Sequence, residues 1–131
     1  NIFTFHLEEF YQFFLSKNRD CICVHEINDI HRLKRTGVAL LDEYSKVTEF
    51  EEKPADPKSN MAVPPFYIYT AGTLKLIGEY ISAWNISDAT GIFIAWLCNI
   101  KYLYAYIFTG VRYDIGTIES YNEVRRVFSD K

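Results

Sequence analysis

Apolar positions along the chain follow two rhythms. Leu7, Phe10 and Phe14 recur at helical spacing, with Glu8, Glu9, Gln12 and Lys17 on other faces, and predict a first helix. After the turn-prone Lys17-Asn18-Arg19-Asp20, the run CICVHE (21–26) predicts a strand apolar enough to be buried on both faces, as in a sheet covered by helices. The polar stretch from Asp29 to Arg35 predicts a loop or a short helical turn. GVALLD (37–42) and KVTEFEE (46–52) flank Glu43-Tyr44-Ser45 and predict a hairpin. Pro54, Pro57, Ser59 and Asn60 mark a loop, and AVPPFYIYT (62–70) is an extended run broken by Pro64 and Pro65.

The second half alternates differently. Leu74, Ile77, Ile81 and Trp84 mark an amphipathic helix opening near Thr73. Ser87 or Asp88 is placed to cap another helix, in which Ile92, Phe93, Trp96 and Leu97 bury most of the circumference. YLYAYIF (102–108) reads as a strand, Gly110 as a turn and VRYD (111–114) as a short strand. Thr117 then caps a last helix carrying Ile118, Tyr121, Val124 and Phe128. Helices interleaved with strands and one hairpin predict an α/β layer structure with a mixed β-sheet and flanking helices.

Composition narrows the functional classes. The chain has 131 residues, enough for one domain with a core of its own, and 49% of them are apolar, which argues against disorder. A net charge of −3, with lysines and arginines scattered, supplies no field for a nucleic-acid polymer. No run approaches the roughly 20 apolar residues of a membrane span. Cys21, Cys23 and Cys98 form an odd set without CxxC spacing, as expected of reduced thiols in a cytoplasmic protein that serve as small core residues. His6, His25 and His31 have no metal-ligand spacing and read as ordinary surface or core residues. Asn1 comes first and the helical pattern begins at once, which reads as part of a longer chain.

Candidate chemistry lies at strand ends, where α/β sheets carry their ligands. Gly37 begins the hairpin, and the absence of a Cβ there lets a ligand approach the backbone. Glu52 ends the hairpin as an acceptor for vicinal hydroxyls, and Lys53 adds a compact charge suited to a phosphate. Pro54 is expected to hold Lys53 extended, because a residue before proline avoids the α region. Asp114, before Ile115-Gly116-Thr117, is a hard oxygen donor of the type magnesium takes. Each has a plainer reading: Glu-Lys-Pro as a solvated surface turn, and Asp114 as a turn or cap residue.

Taken in order, Gly37-Val38, the hairpin, Glu51-Glu52-Lys53-Pro54, Pro57-Lys58-Ser59-Asn60, Ala62-Val63 and Asp114-Ile115-Gly116-Thr117 resemble the sugar-1-phosphate nucleotidyltransferases. The glucose-1-phosphate thymidylyltransferase type is the nearest in flavour, and the likeness runs from about Asn1 to Phe128. It implies the latter part of a Rossmann-like nucleotide-diphospho-sugar transferase fold. It also implies that Gly37 and Glu52 contact the sugar, that Lys53 holds its phosphate and that Asp114 is one of two magnesium-binding aspartates. The family's glycine-rich loop with its catalytic arginine and lysine is not found, and Asn1-Ile2-Phe3 resembles the segment just after the family's first metal aspartate. The resemblance therefore implies that residues 1–131 are the sugar-phosphate-binding half of a catalytic domain, inactive in isolation.

Departures from the family pattern are Thr36 for a tyrosine, Pro64-Pro65 for Thr-Gly, and Arg112 for an aromatic residue, the last expected to alter sugar choice. The complete enzyme would join a hexose-1-phosphate to a nucleoside triphosphate, with magnesium, and release pyrophosphate. Two other readings stand beside it: a non-catalytic binding or regulatory module on the same scaffold, favoured by Pro64-Pro65 and Arg112, and an unrelated α/β domain. A half-domain with an exposed sheet edge is expected to associate, which leaves a homo-oligomer open.

Overall fold

The chain runs through β1 (Ile2–Phe3), α1 (Leu7–Lys17), β2 (Asp20–Glu26), α2 (Ile30–Leu33), β3 (Gly37–Leu41), β4 (Val47–Glu52), β5 (Met61–Val63), β6 (Tyr67–Ile68), α3 (Ala71–Trp84), α4 (Thr90–Ile100), β7 (Leu103–Ile107), β8 (Arg112–Tyr113) and α5 (Ile118–Ser129). The computed structural model describes residues 2–3, 6–84, 90–110, 112–113 and 115–129. Ser87, Asp88 and Asp114, singled out above, lie outside the described residues.

β2 is the axis, buried along its length except at Glu26. One of its edges carries β7 in parallel register, Asp20 opposite Leu103 through Val24 opposite Ile107. Its other edge carries β6 at Cys21–Ile22 and β5 at His25–Glu26, both antiparallel. Pro64 and Pro65 form the step between these two short strands, because proline cannot continue a ladder as a donor. The order β4-β3-β5-β2-β6, with β7 also on β2, makes a mixed six-stranded sheet. β1 and β8 pair separately, Ile2 opposite Tyr113 and Phe3 opposite Arg112.

The β3–β4 hairpin does not splay into solvent. Asp42 Oδ1 accepts from the N–H groups of Tyr44 and Lys46, and Ser45 takes a left-handed φ of 63°, which closes a tight turn. The turn returns to β7: Lys46 bridges Tyr104, and the Ala105 N–H donates to the Ser45 carbonyl at 2.8 Å. The sheet thus curls around α4. Phe93, Ile94 and Leu97 of α4 pack with Ile22, Val24, Ala39, Val47, Phe50 and Val63 of the sheet and Tyr80 of α3. The apolar helix TGIFIAWLCNI buries Phe93, Ile94 and Leu97 against the sheet and leaves Ile92, Asn99 and Ile100 exposed. Alternation along β2 sends Cys21 and Cys23 to the opposite layer, against Phe10 of α1 and Phe108. Burial pushes the Cys21 thiol up to about 12 and the Cys23 thiol higher still, so both remain protonated core groups.

Two helices turn differently from their sequence pattern. In α3 the buried face is Thr73, Ile77 and Tyr80, whereas Leu74 and Ile81 are exposed. The Thr73 hydroxyl donates to Asp20 Oδ2 at 2.6 Å, and that bond sets the rotation of the helix. In α4, Ile92 is exposed while Phe93 and Ile94 are buried. Thr117 caps α5 as expected, its Oγ1 accepting from the Ser120 N–H, but Ile118 and Tyr121 face outward and Val124 is the buried residue.

Candidate functional site

The hairpin brings Gly37 and Glu52 directly opposite each other, with Val63 of β5 as Gly37's partner on the other side. Residues paired in register share a face, so Gly37, Ala39, Phe50 and Glu52 all point toward α4. A Cβ on Gly37 would lie 2.5 Å from Phe50 Cζ and 3.3 Å from Glu52 Oε2. The glycine is therefore required first by the Phe50 ring, which fills the space above it, and not by open access to the backbone.

Glu52 extends from β4 onto the first turn of α4. A Cβ at Gly91 would press on Glu52 Oε2 and Cδ, so glycine there leaves room for the carboxyl where it lies, and a larger residue would make the side chain swing aside. Nothing in the sequence linked these two residues, since their contact depends on where α4 docks in the curl. Packing against α4 raises the Glu52 pKa above the ordinary carboxyl value, while Lys53 beside it pulls it back. A carboxyl with a higher pKa when folded costs stability once ionised. That cost is absent below the ordinary value of 4.5 and complete above the folded one. Glu52→Gln is accordingly expected to melt at or above the native temperature at neutral pH, with the difference shrinking as the pH falls toward 4, roughly the ordinary carboxyl range. Melting curves across that range check it; a variant less stable at pH 7 would contradict it.

Lys53 departs from its sequence reading. Its φ is 48°, in the left-handed region, rather than extended as its position before Pro54 predicted. Its N–H donates to the Thr36 carbonyl at 3.1 Å, and this last bond of the hairpin holds it there while Pro54 is buried behind it. Strain of this kind costs ~1–2 kcal/mol for an L-residue. Among the described residues the Lys53 ammonium makes no hydrogen bond or ion pair.

The neighbouring charges do have partners. Lys58 Nζ lies 2.8 Å from Glu49 and 3.5 Å from Glu51, both on the face opposite Glu52. Ser59 Oγ donates to the Ala39 carbonyl and accepts from the Met61 N–H, and Asn60 Nδ2 donates to Glu26. PKSN is thus a buckle that ties the loop to three strands. Among the described residues Glu52 and Lys53, side by side at the hairpin end, make no ion pair with any other residue.

Other candidates separate from this group. His25 is buried and stacked on Phe108 at 4.8 Å, and His31 is an exposed residue of α2. Among the described residues no group of three or more His, Cys, Asp or Glu is arranged to hold a metal ion. Arg112 lies in β8 opposite Phe3. One functional-looking acid was missed by sequence reading: Asp20, assigned to a turn, is only 2% exposed, and its carboxylate accepts from the Thr70 N–H at 2.8 Å and from the Thr73 hydroxyl. It caps α3 from β2, a structural role.

The sequence pattern of the nucleotidyl transferase family matches residues 1–131. The chain belongs to that family. It is 33% identical over 128 residues to a glucose-1-phosphate adenylyltransferase of Fervidobacterium nodosum, covering 94% of this chain and 30% of the relative. It is 34% identical over 124 residues to the enzyme of that name from Clostridium acetobutylicum, covering 92% and 32%. The chain therefore spans about a third of the length of the curated relatives it matches. In fold it superposes on a putative glucose-1-phosphate thymidylyltransferase from Bacillus anthracis, solved with sucrose, with a TM-score of 0.80 at 23% identity over 99% of this chain and 52% of that one. A UDP-glucose pyrophosphorylase complexed with UDP-glucose gives 0.78 at 24% identity over 95% and 49%. The curled mixed sheet with flanking helices is thus the nucleotidyltransferase fold expected from the sequence. No described helix is long and apolar enough to cross a membrane.

Proposed function

We propose that residues 1–131 form the sugar-phosphate-binding part of a sugar-1-phosphate nucleotidyltransferase, whose nucleotide-binding part lies elsewhere in a longer chain. The observation that carries this is the hairpin end: Glu52 seated against Gly91, and Lys53 held in a strained backbone with its ammonium unpartnered among the described residues. Strain and a cost to stability at two adjacent residues are more readily explained by a ligand than by a surface turn.

On this reading Glu52 accepts hydrogen bonds from the sugar hydroxyls, and Gly37, paired with Glu52 across the hairpin, lets the Phe50 ring lie beneath it. Lys53 neutralises the sugar phosphate and holds it for in-line attack on the α-phosphorus of a nucleoside triphosphate, with pyrophosphate leaving. The protein's part is positioning and charge. Magnesium, when bound, would supply further neutralisation of the phosphates; Asp114 is the ligand that the resemblance assigns from this chain, and one or two carboxylates suffice where substrate phosphates complete the shell. Curated relatives named as adenylyltransferases favour adenine over the thymidylyl specificity that the motifs suggested.

The test is Lys53 in the full-length protein. Lys53→Ala is expected to lower kcat/KM for glucose-1-phosphate by about one to two decades, the value of ~1.5–3 kcal/mol for a charge-assisted contact. Lys53→Gly should lose the same activity and yet melt no lower, since glycine adopts the left-handed backbone freely. Unchanged kinetics in both variants would return Glu-Lys-Pro to the role of a surface turn.

A further inference from the structure

A polar cleft of about 420 Å³ lies at the other end of α4 from Glu52, lined by residues that include Arg19, Lys46, Thr70, Asn99, Lys101 and Tyr102. Gly91 and Asn99 are eight residues apart on one helix, so ~12 Å of helix separates the two places. Three cations line this cleft in a chain whose net charge is −3. Among the described residues the ion pairs are those of Lys58, so Arg19, Lys46 and Lys101 reach no carboxylate within ion-pair distance. Asp20, the acid in the lining, is buried and already occupied by Thr70 and Thr73.

The cations are held in place rather than loose. Lys46 Nζ sits 4.6 Å from the centroid of Tyr102 and the Arg19 guanidinium 5.8 Å from the same ring, so one exposed tyrosine gathers both. Lys101 Nζ donates to Thr73 Oγ1 at 2.9 Å, at the amino end of α3. A cation–π contact at an exposed ring is weaker than a charge-assisted bond to a phosphoryl oxygen, so both cations can turn to an anion without breaking an ion pair. The carboxyl ends of α1 and α4 also face this region and offset part of the positive charge, but their partial charges are about half a unit each against three full cations. Burial raises the Cys98 thiol pKa, so Cys98 adds no negative charge at neutral pH.

We propose that this cleft binds a small phosphoryl anion at Arg19, Lys46 and Lys101, at a site separate from the hairpin end. The recognition is by charge and by donors, so inorganic phosphate, pyrophosphate and a phosphorylated sugar share the chemistry, with the more highly charged pyrophosphate held more tightly than phosphate.

The experiment is calorimetric titration of the full-length protein with inorganic phosphate, pyrophosphate and glucose-1-phosphate in turn, at low ionic strength and without magnesium. Phosphate and pyrophosphate are expected to bind, and Arg19→Gln and Lys46→Gln each to weaken that binding about tenfold or more, as loss of one charge-assisted contact should. Lys53→Gln, at the hairpin end, should leave in place the part of the phosphate binding that Arg19→Gln and Lys46→Gln remove. Glucose-1-phosphate binding abolished by Lys53→Gln alone would assign that ligand to the hairpin end without touching the cleft. Loss of phosphate binding in Lys53→Gln but not in Lys46→Gln or Arg19→Gln would overturn the proposal, as would no binding of either inorganic anion. Arg19 is exposed and Lys46 half-buried, and neither makes an ion pair among the described residues, so both variants should fold; equal melting temperatures confirm it. Failure of the function proposed for the hairpin end would appear in the Lys53 kinetics and leave these affinities standing.

Discussion

Asp20→Ala is expected to destabilise the fold by about 3 kcal/mol or more, from the loss of two charge-assisted bonds and the burial of orphaned donors. Asp20 is fully enclosed, and its two oxygens take the Thr70 N–H and the Thr73 hydroxyl, while Thr73 in turn accepts from Lys101. The truncation leaves the Thr70 N–H without its acceptor, removes the bond that sets the rotation of α3, and opens a void where β2, β7 and α3 meet. Asp20→Asn keeps the shape and one acceptor, so it should cost about half as much. Thr73→Val tests the same link from the other side, and the pair should be strongly non-additive in a double-mutant cycle. Urea or thermal unfolding of the four proteins checks it. Additive effects would mean that Asp20 and Thr73 act separately.

The largest expected effect on activity is at Asp114. On the function proposed above, Asp114→Asn in the full-length protein is expected to lower turnover by about two orders of magnitude or more, because it would remove a charged ligand from phosphate chemistry that depends on neutralisation. The melting temperature should change little, because asparagine keeps the shape of the side chain. The competing role, capping α5, is already filled: the Thr117 hydroxyl accepts from the Ser120 N–H, and Ser120 Oγ donates back to the Thr117 carbonyl. Turnover measured against magnesium concentration separates the two roles. A variant with full turnover and unchanged magnesium dependence would make Asp114 a turn residue.

The hairpin end shows how far local sequence reaches. Glu51, Glu52 and Lys53 form a charge run of a kind that is usually solvated, and alternation along β4 divides it: Glu49 and Glu51 turn to Lys58, Glu52 to Gly91. Which face is which comes from the strand period and was legible. That PKSN is the buckle holding the loop was not, because Ser59 and Asn60 find their partners on β3 and β2, twenty and thirty-four residues away. The backbone of Lys53 was misread for the same reason. The local preference before proline was overruled by the bond from its N–H to Thr36 across the hairpin.

By itself the sequence determined the elements and the class of fold. Period-2 and helical runs, turn residues at 42–45, the Pro64-Pro65 break and the Thr117 cap act within a few residues of where they stand, so their consequences are local and readable. Only the tertiary structure decided which faces are buried and which charges are left unpartnered. Leu74, Ile81 and Ile92 look like core and are exposed, because Asp20 sets the rotation of α3 and the curl of the sheet sets that of α4. Asp20 looks like a turn and is buried, because a helix start fifty residues later needs its carboxylate. Glu52 meets Gly91, and Lys46 meets Tyr102, only once the sheet has curled around α4. Contacts between distant segments depend on how whole elements dock, and no spacing along the chain encodes that.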